Sequence, residues 1–404
     1  MRILFATAPG YGLTLPLVPL AWAARAAGHE VLLATTSEMA TVAPAAGLAV
    51  HDVYPDRDVW GDLMRRVMSG GEPDEDLPEE YRLAAKAGNP FGLFTVTMTA
   101  GTIEAGRAFG ADLVAYPSDH AAGMLTAAAL GVPALEVGNR ISWSMRDVDW
   151  RAGHDGFGDS AINDLVRAKL DIHGSPTPVA RIDPRPPSMG GLDADEVTHD
   201  ERDGAPWWPM RFVPYNGGTV VPEWALRRPE RSEPPRVAVT LGTVVPALSG
   251  VSSLAVVLEA LGGMDVEVVL AAGTADLTEL GTLPENVRSV GYLPLSSFLP
   301  TCAAIVHHGG SGTTAAPLFY GVPQLVLPSF ADNPLAAERV VRRGVGLSHD
   351  PATLDVATLR ASLGRLLTEE TFRTAAGEVR AEMAAQPSPA AVIERVAHVN
   401  ESRR

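Results

Sequence analysis

The feature that most constrains this chain is the stretch V-H-H-G-G-S-G-T-T at 306–314 with its surroundings. An apolar run at 303–306 leads in. Ala315, Ala316 and Leu318 follow the hydroxyl residues, and Gly321-Val-Pro then precedes a second apolar run at 324–327. The order predicts strand, tight glycine turn, helix, strand. Glycines at such a turn let backbone N–H groups approach an anion, and the following helix N-terminus adds positive potential. His307, Ser311 and Thr313 add side-chain donors, a design that suits a diphosphate. A bare G-G-x-G is equally at home in an ordinary α/β turn, so its context has to decide.

That context is an α/β rhythm repeated in two halves. Near-continuous apolar strands are expected at 3–6, 31–35, 113–116 and 134–137, with helices at 16–27 and 121–130. The rhythm restarts at 237–241 and continues at 266–271, 287–292 and 303–306, with helices at 254–261, 336–343, 356–367 and 388–397. Apolar strands alternating with helices indicate parallel sheets buried on both faces. A length of 404 residues suits two such domains in series. Their expected bounds are 1–215 and 216–385, with 386–404 a terminal helix returning to the first domain. Prolines and charges at 183–188 and 229–235 bracket the expected connecting region, and 210–222 reads as one extended segment. The charged segment 56–89 reads as a solvated surface insertion carrying some helix.

Charge and composition narrow the function. The formal net charge of −16, without a block of Lys and Arg, argues against a nucleic-acid surface. The single cysteine, Cys302, excludes an intrachain disulfide or a thiolate zinc cluster. No run of eighteen uncharged apolar residues suggests a membrane span, so a soluble cytoplasmic protein is expected. The first turn, Gly10-Tyr-Gly-Leu-Thr-Leu-Pro, lacks the third glycine of a dinucleotide fingerprint, because position 15 is Leu.

Four expected strand ends in the second half carry the richer signal: Gly242-Thr243, Tyr292-Leu293-Pro294, His307 to Thr314, and Phe330-Ala-Asp332-Asn333. Ligands of open α/β sheets bind at such ends. Together these four offer a hydroxyl, a flat platform, a phosphate cradle and polar groups for sugar hydroxyls.

With these residues assembled, the chain resembles the nucleotide-sugar-dependent glycosyltransferases of GT-B fold, in particular actinomycete enzymes that attach deoxysugars to antibiotics. The likeness rests on M-R-F-V-P-Y-N-G (210–217), V-T-L-G-T (239–243), L-P-E-N-V-R (283–288), V-H-H-G-G-S-G-T-T (306–314), G-V-P-Q-L-V-L-P (321–328) and F-A-D-N (330–333). In the first half, 16–31 and 182–188 also match. The resemblance implies two Rossmann-like domains facing across a cleft. Gly242, Thr243, His307, His308, Gly309, Gly310, Ser311, Gly312 and Thr313 would hold the donor diphosphate. Tyr292, Leu293 and Pro294 would line the nucleobase, and Asp332 and Asn333 would contact the sugar. A dTDP-sugar would be co-substrate, with inversion, no metal and no cofactor. A homodimer and an auxiliary activator protein are further partners the resemblance allows.

The chain departs from the family at the first turn. Where many relatives carry a histidine that acts as general base, this chain has Leu13. Asp119 and His120, just past the 113–116 strand, are the candidate replacements. Their bland reading is that they cap the next helix. Tyr11, Leu13, Phe91, Phe94, Trp143 and Trp150 are candidates for an apolar acceptor pocket. Leu13 also motivates two further readings: C-glycosylation of a phenolic ring carbon, whose nucleophile needs little help, and a non-catalytic nucleotide-binding helper. O-, N-, S- and C-linkage stay open at this level.

Overall fold

The computed structural model describes residues 1–68, 82, 91–149, 161–176, 178–242, 252–273, 275–329 and 331–402. Two open sheets carry the fold. The first contains β1 (Arg2–Ala6), β2 (Glu30–Thr35), β3 (Val50–Asp52), β4 (Leu113–Pro117), β5 (Ala134–Val137), β6 (Pro178–Asp183), β7 (Thr198–His199) and β8 (Pro206–Pro209). Their spatial order is β3-β2-β1-β4-β5-β6-β8-β7, parallel except for the terminal β7–β8 pair. The second holds β9 (Arg236–Thr240), β10 (Glu267–Leu270), β11 (Val287–Ser289), β12 (Ala304–His307), β13 (Gln324–Val326) and β14 (Gly346–Ser348). It is wholly parallel, in the order β11-β10-β9-β12-β13-β14.

Strand order reverses between β1 and β4 in the first sheet and between β9 and β12 in the second. Strand C-termini diverge at such switch points and open a crevice for ligands. The turn Gly10–Pro16 follows β1, and Asp119 follows β4. Gly242 follows β9, and His308 follows β12. The two halves therefore bring one crevice each to a shared cleft.

Each sheet is buried on both faces. One face of the first packs Ile3, Phe5, Leu33 and Val137 against Val18, Leu20 and Ala21 of the helix Val18–Ala26. The other packs Leu4, Ala6 and Val114 against Leu93, Phe94 and Met98 of the helix Gly92–Phe109. The last helix, Pro389–Ser402, adds Val392, Ile393 and Val396 to the first of these clusters, and Arg395 lies 4.1 Å over the Trp208 ring. Burial at roughly 25 cal/mol per Å² of apolar surface is what holds it there.

Two sequence expectations change. The 183–188 segment does not open the connecting region: residues 183–186 are buried in the first half. Arg185 is fully buried, pairing with Asp183 at 2.8 Å and Asp147 at 2.7 Å. Its guanidinium needs both carboxylates, because an unpaired buried charge is costly. The chain then adds β7 and β8 to the first sheet before it crosses over. The start of the charged insertion is not a solvated face either. In the helix Val59–Met68, Val59 and Leu63 are buried against the core that holds Phe94. Residues 69–81 and 83–90 lie outside the described residues.

Candidate functional site

A cavity of about 530 Å³ occupies the cleft and takes residues from both switch points. Its donor-side wall is built by the turn after β12. Gly309 has φ +92° and packs under Asn333 and Val326, where a Cβ would come within 3.1 Å of both. The His308 ring lies between two glycines: a Cβ on Gly242 or on Gly310 would fall 2.4 Å from it. Gly242 also has φ +69°, which a side chain rarely adopts. Glycine at both positions is therefore a packing requirement for the imidazole.

Beyond this turn the helix Ser311–Tyr320 points its N-terminus at the cavity, which Gly310, Ser311, Gly312 and Thr313 line. Thr314 N–H already donates to Gly310 O at 2.8 Å, leaving the preceding first-turn N–H groups for an acceptor. Three buried side-chain atoms on this wall have no partner: His308 Nδ1, Ser311 Oγ and Asn333 Nδ2. Buried polar atoms are normally paired, so three orphans converging on a helix N-terminus mark a binding site for a ligand rich in acceptors.

The structure separates the two histidines. His307 is fully buried and absent from the cavity wall. Its Nδ1 accepts from Gly309 N–H at 3.0 Å, so its Nε2 carries the proton and faces Gln324 Oε1 at 2.8 Å. Burial, helped by His308 beside it, pushes its pKa down to about 3. A diphosphate ligand and a cation are thus both the wrong roles for the His307 side chain. It shapes the turn, and His308 reaches the cavity. Burial likewise pushes His308 down to about 4, with Asp332 opposing, so a neutral imidazole faces the cavity. Thr243 and Phe330 lie outside the described residues. Thr240, whose Oγ1 accepts from Gly242 N–H at 3.1 Å, lines the cavity instead.

Tyr292, Leu293 and Pro294 also line the cavity. Tyr292 is half exposed, donates its hydroxyl to Asn216 O at 2.7 Å, and places its ring 6.1 Å from that of Tyr11 across the cleft. Asp332 and Asn333 line it too, but Asp332 is already engaged by the opposite half. Its Oδ1 accepts from Arg140 Nη1 at 3.3 Å and its Oδ2 from Ser142 Oγ. The loop after β5 supplies both groups, and nothing in its sequence had marked them.

Apart from Arg140, the first-half wall is largely apolar. Tyr11, Leu13 and Phe91 line it as expected positions. Phe94 does not: it is fully buried behind Phe91 and Trp60, with ring centroids 5.9 and 6.3 Å away. Trp143 is buried with Met145, Leu192 and Trp207. Trp150 lies outside the described residues. Among the positions missed are Trp60, Leu63 and Met64. Their signal was present, as apolar residues 59, 60, 63 and 64 at helical spacing, but the acidic surroundings masked it.

Neither candidate base stands at the cavity. Asp119 is buried and accepts from Arg140 Nη2 at 2.7 Å, Arg140 Nε at 3.3 Å and Asn139 Nδ2 at 3.4 Å. His120, not Asp119, occupies the N-cap of the helix Ala121–Leu130, and it makes no side-chain cap. Both its ring nitrogens are buried without partners, and burial pushes it down to about 3. A carboxylate already neutralised by Arg140, and an imidazole enclosed in the interior, are poorly placed to take an acceptor proton. Among the described residues no group of three His, Cys, Asp or Glu side chains could hold a metal ion, and no helix is long and apolar enough to cross a membrane.

This arrangement matches known proteins along its whole length. Residues 22–242 match the family described as erythromycin biosynthesis protein CIII-like, N-terminal domain, and residues 255–399 match its C-terminal domain. The chain is 37% identical to the elloramycin glycosyltransferase of Streptomyces olivaceus, over 98% of this chain and 97% of that protein. It is 33% identical to the tylactone mycaminosyltransferase of Streptomyces fradiae, over 93% of this chain and 87% of that one. Among solved structures it superposes on the Streptomyces sp. SF2575 glycosyltransferase SsfS6, complexed with thymidine diphosphate, with a TM-score of 0.76 and 31% identity over 98% and 99% of the two chains. Two parallel sheets meeting at a cleft with an acceptor-seeking helix N-terminus, and a family match on both halves, make this chain a GT-B glycosyltransferase belonging to the erythromycin biosynthesis protein CIII-like family.

Proposed function

We propose that this enzyme moves a deoxysugar from a dTDP-sugar to a hydrophobic, polyketide-like aglycone, in the cytoplasm, with inversion and without a metal or cofactor. The observation that carries this is the division of one cavity into two chemistries. The donor wall holds the helix N-terminus and the orphaned His308, Ser311 and Asn333 atoms, and the facing wall is Leu13, Trp60, Leu63, Met64 and Phe91. The likeness to a thymidine diphosphate complex supports the choice of nucleotide.

In the reaction the acceptor nucleophile forms a bond to the anomeric carbon as the bond to the diphosphate oxygen breaks on the opposite face. Negative charge grows on the leaving diphosphate. The first-turn N–H groups of Ser311 to Thr313 and the His308 imidazole are fixed before the reaction, so they stabilise that charge without reorganising. Asn333 Nδ2 donates to a ring substituent of the sugar. The apolar wall orients the aglycone and excludes water from the reacting carbon.

Leu13 favours a particular acceptor. It is buried at the cavity wall, and a leucine takes no proton. The acceptor wall among the described residues offers no carboxylate or imidazole in its place. An acidic acceptor, a phenol or enol, gives up its proton to solvent before it attacks through oxygen; attack through an electron-rich ring carbon is followed by loss of that carbon's proton to solvent, which restores the ring. Assay of matched phenolic, enolic and aliphatic acceptors with dTDP-sugars tests both parts. Transfer to phenols over unactivated secondary alcohols is expected. Equal use of secondary alcohols would refute the acceptor preference, and absence of any transfer from dTDP-sugars would refute the donor.

A further inference from the structure

The sugar end of the cavity contains a charged cluster that the reaction scheme leaves unexplained. Arg140 comes from the acceptor half, on the loop after β5, and lines the cavity. It spans two carboxylates: Asp119 in its own half, at 2.7 Å, and Asp332 in the donor half, at 3.3 Å. Ser142, two residues on, donates to the other oxygen of Asp332. The guanidinium also lies 5.8 Å from the Trp143 ring centroid, which braces it. Its side chain is 15% exposed, that of Asp332 10%, and that of Asp119 fully covered.

We propose that Arg140 and Ser142 are specificity-determining residues that set this subsite for neutral deoxysugars and against sugars bearing an ammonium group. The inference rests on the reading of the cavity as a dTDP-sugar site.

Charge balance supports it. Two carboxylates share one guanidinium, which alone would leave a negative charge and invite a ligand cation. Each carboxylate, however, also stands at a helix N-terminus: Asp332 is the N-cap residue of Asn333–Arg343, and Asp119 immediately precedes the N-cap of Ala121–Leu130. Each N-terminus carries roughly half a positive charge. Neither carboxylate caps its helix by a hydrogen bond, but with Arg140 the two N-termini offset most of the pair's charge, leaving little call for a ligand cation. Hydrogen bonding points the same way. Both oxygens of Asp332 already accept protons from the acceptor half. A guanidinium has five N–H donors, and three of those on Arg140 are used by Asp119 and Asp332. The donors left over suit hydroxyl or ether oxygens. An ammonium group has only donors, and it would meet a cation where it sought a carboxylate.

The test is calorimetric, on the full chain at pH 7, with three ligands: dTDP, a dTDP-6-deoxysugar carrying a 3-hydroxyl, and its 3-amino counterpart. The wild type is expected to bind the neutral donor about tenfold more tightly than the amino donor, the scale of a like-charge contact at a partly buried site. Arg140→Lys should keep the preference, and Arg140→Gln should abolish or reverse it by leaving the two carboxylates underbalanced. If Arg140→Gln does not fold, Ser142→Ala serves. Freeing one Asp332 oxygen should narrow the ratio by about threefold. A wild type that binds the amino donor equally well or better overturns the inference while leaving the dTDP-sugar reading intact. An unchanged ratio in a folded Arg140→Gln or Ser142→Ala protein overturns it as well. Failure of all three ligands, dTDP included, would overturn the dTDP-sugar reading and this inference with it.

Discussion

His307 donates through Nε2 to Gln324 Oε1 at 2.8 Å while its Nδ1 accepts from Gly309 N–H at 3.0 Å, and the next residue, His308, alone turns its ring to the cavity. Adjacent histidines at the end of a strand point to opposite sides of the sheet's edge, so one motif places one imidazole in the interior and the next at the cavity.

The two should be separable by mutation. His307→Ala orphans the Gln324 carbonyl and the Gly309 N–H, and is expected to cost about 2–3 kcal/mol of stability. His308→Ala, which deletes a ring packed between Gly242 and Gly310 but breaks no hydrogen bond, is expected to lower the melting temperature less than His307→Ala and to weaken dTDP binding about tenfold, or about 1.4 kcal/mol. Thermal unfolding and calorimetry on both variants check this. A His308→Ala protein destabilised more than His307→Ala, with normal dTDP affinity, would reverse the assignment.

Acid should destabilise the protein through its buried imidazoles. Burial lowers His120 and His307 to about 3 and His308 to about 4 in the folded state. Unfolded histidine titrates near 6.5, so between these values the unfolded chain binds more protons. Stability is then full above about pH 6.5 and falls as pH drops toward 4, with a slope approaching about 1.4 kcal/mol per pH unit for each histidine. Because His120 makes no hydrogen bond with its ring, His120→Phe should flatten part of this loss. Denaturant midpoints at pH 7, 6 and 5 for both proteins provide the comparison, and parallel curves would contradict it.

The apolar wall should govern the acceptor alone. Trp60→Ala removes an aromatic surface from the cavity and is expected to raise the acceptor KM about tenfold, on the scale of one large apolar contact. The donor KM should stay within about twofold. Steady-state kinetics with each substrate varied in turn would show it. An equal rise in both constants would place Trp60 in the frame of the cleft instead of the acceptor pocket.

On the proposed reading, position 13 should control the range of nucleophiles. Leu13→His puts a proton acceptor at the β1–β4 switch point, facing the cavity. Transfer to secondary alcohols should rise by about 10²-fold, at the lower end of general-base effects, while transfer to phenols changes little. No gain with alcohols, in a variant that still binds dTDP, would show that the missing base is not what restricts the acceptor.

Some elements were invisible to pattern alone for identifiable reasons. The helix Gly92–Phe109 hides behind β-branched residues, because Thr97, Thr99 and Thr102 donate to the carbonyls four residues back. β6 carries Arg181 and Asp183, which break an apolar run; Arg181 is satisfied by Glu136 at 3.0 Å and Asp203 at 2.7 Å. Such charges enter a buried strand only when partners from distant segments pair them, and spacing does not announce those partners.

The sequence by itself determined the two largely parallel sheets, the strand-end placement of the glycine turn and the leucine at position 13. These follow from local periodicity, glycine chemistry and residue identity, all of which act within a few positions. Tertiary structure decided which histidine faces the cavity, that Asp119 is consumed by Arg140, and that Trp60 and Met64, not Phe94 and Trp143, line the apolar wall. It also joined Arg140 to Asp332 across 192 positions of chain. Burial and pairing set the role of a polar side chain, and both depend on what the rest of the fold brings against it.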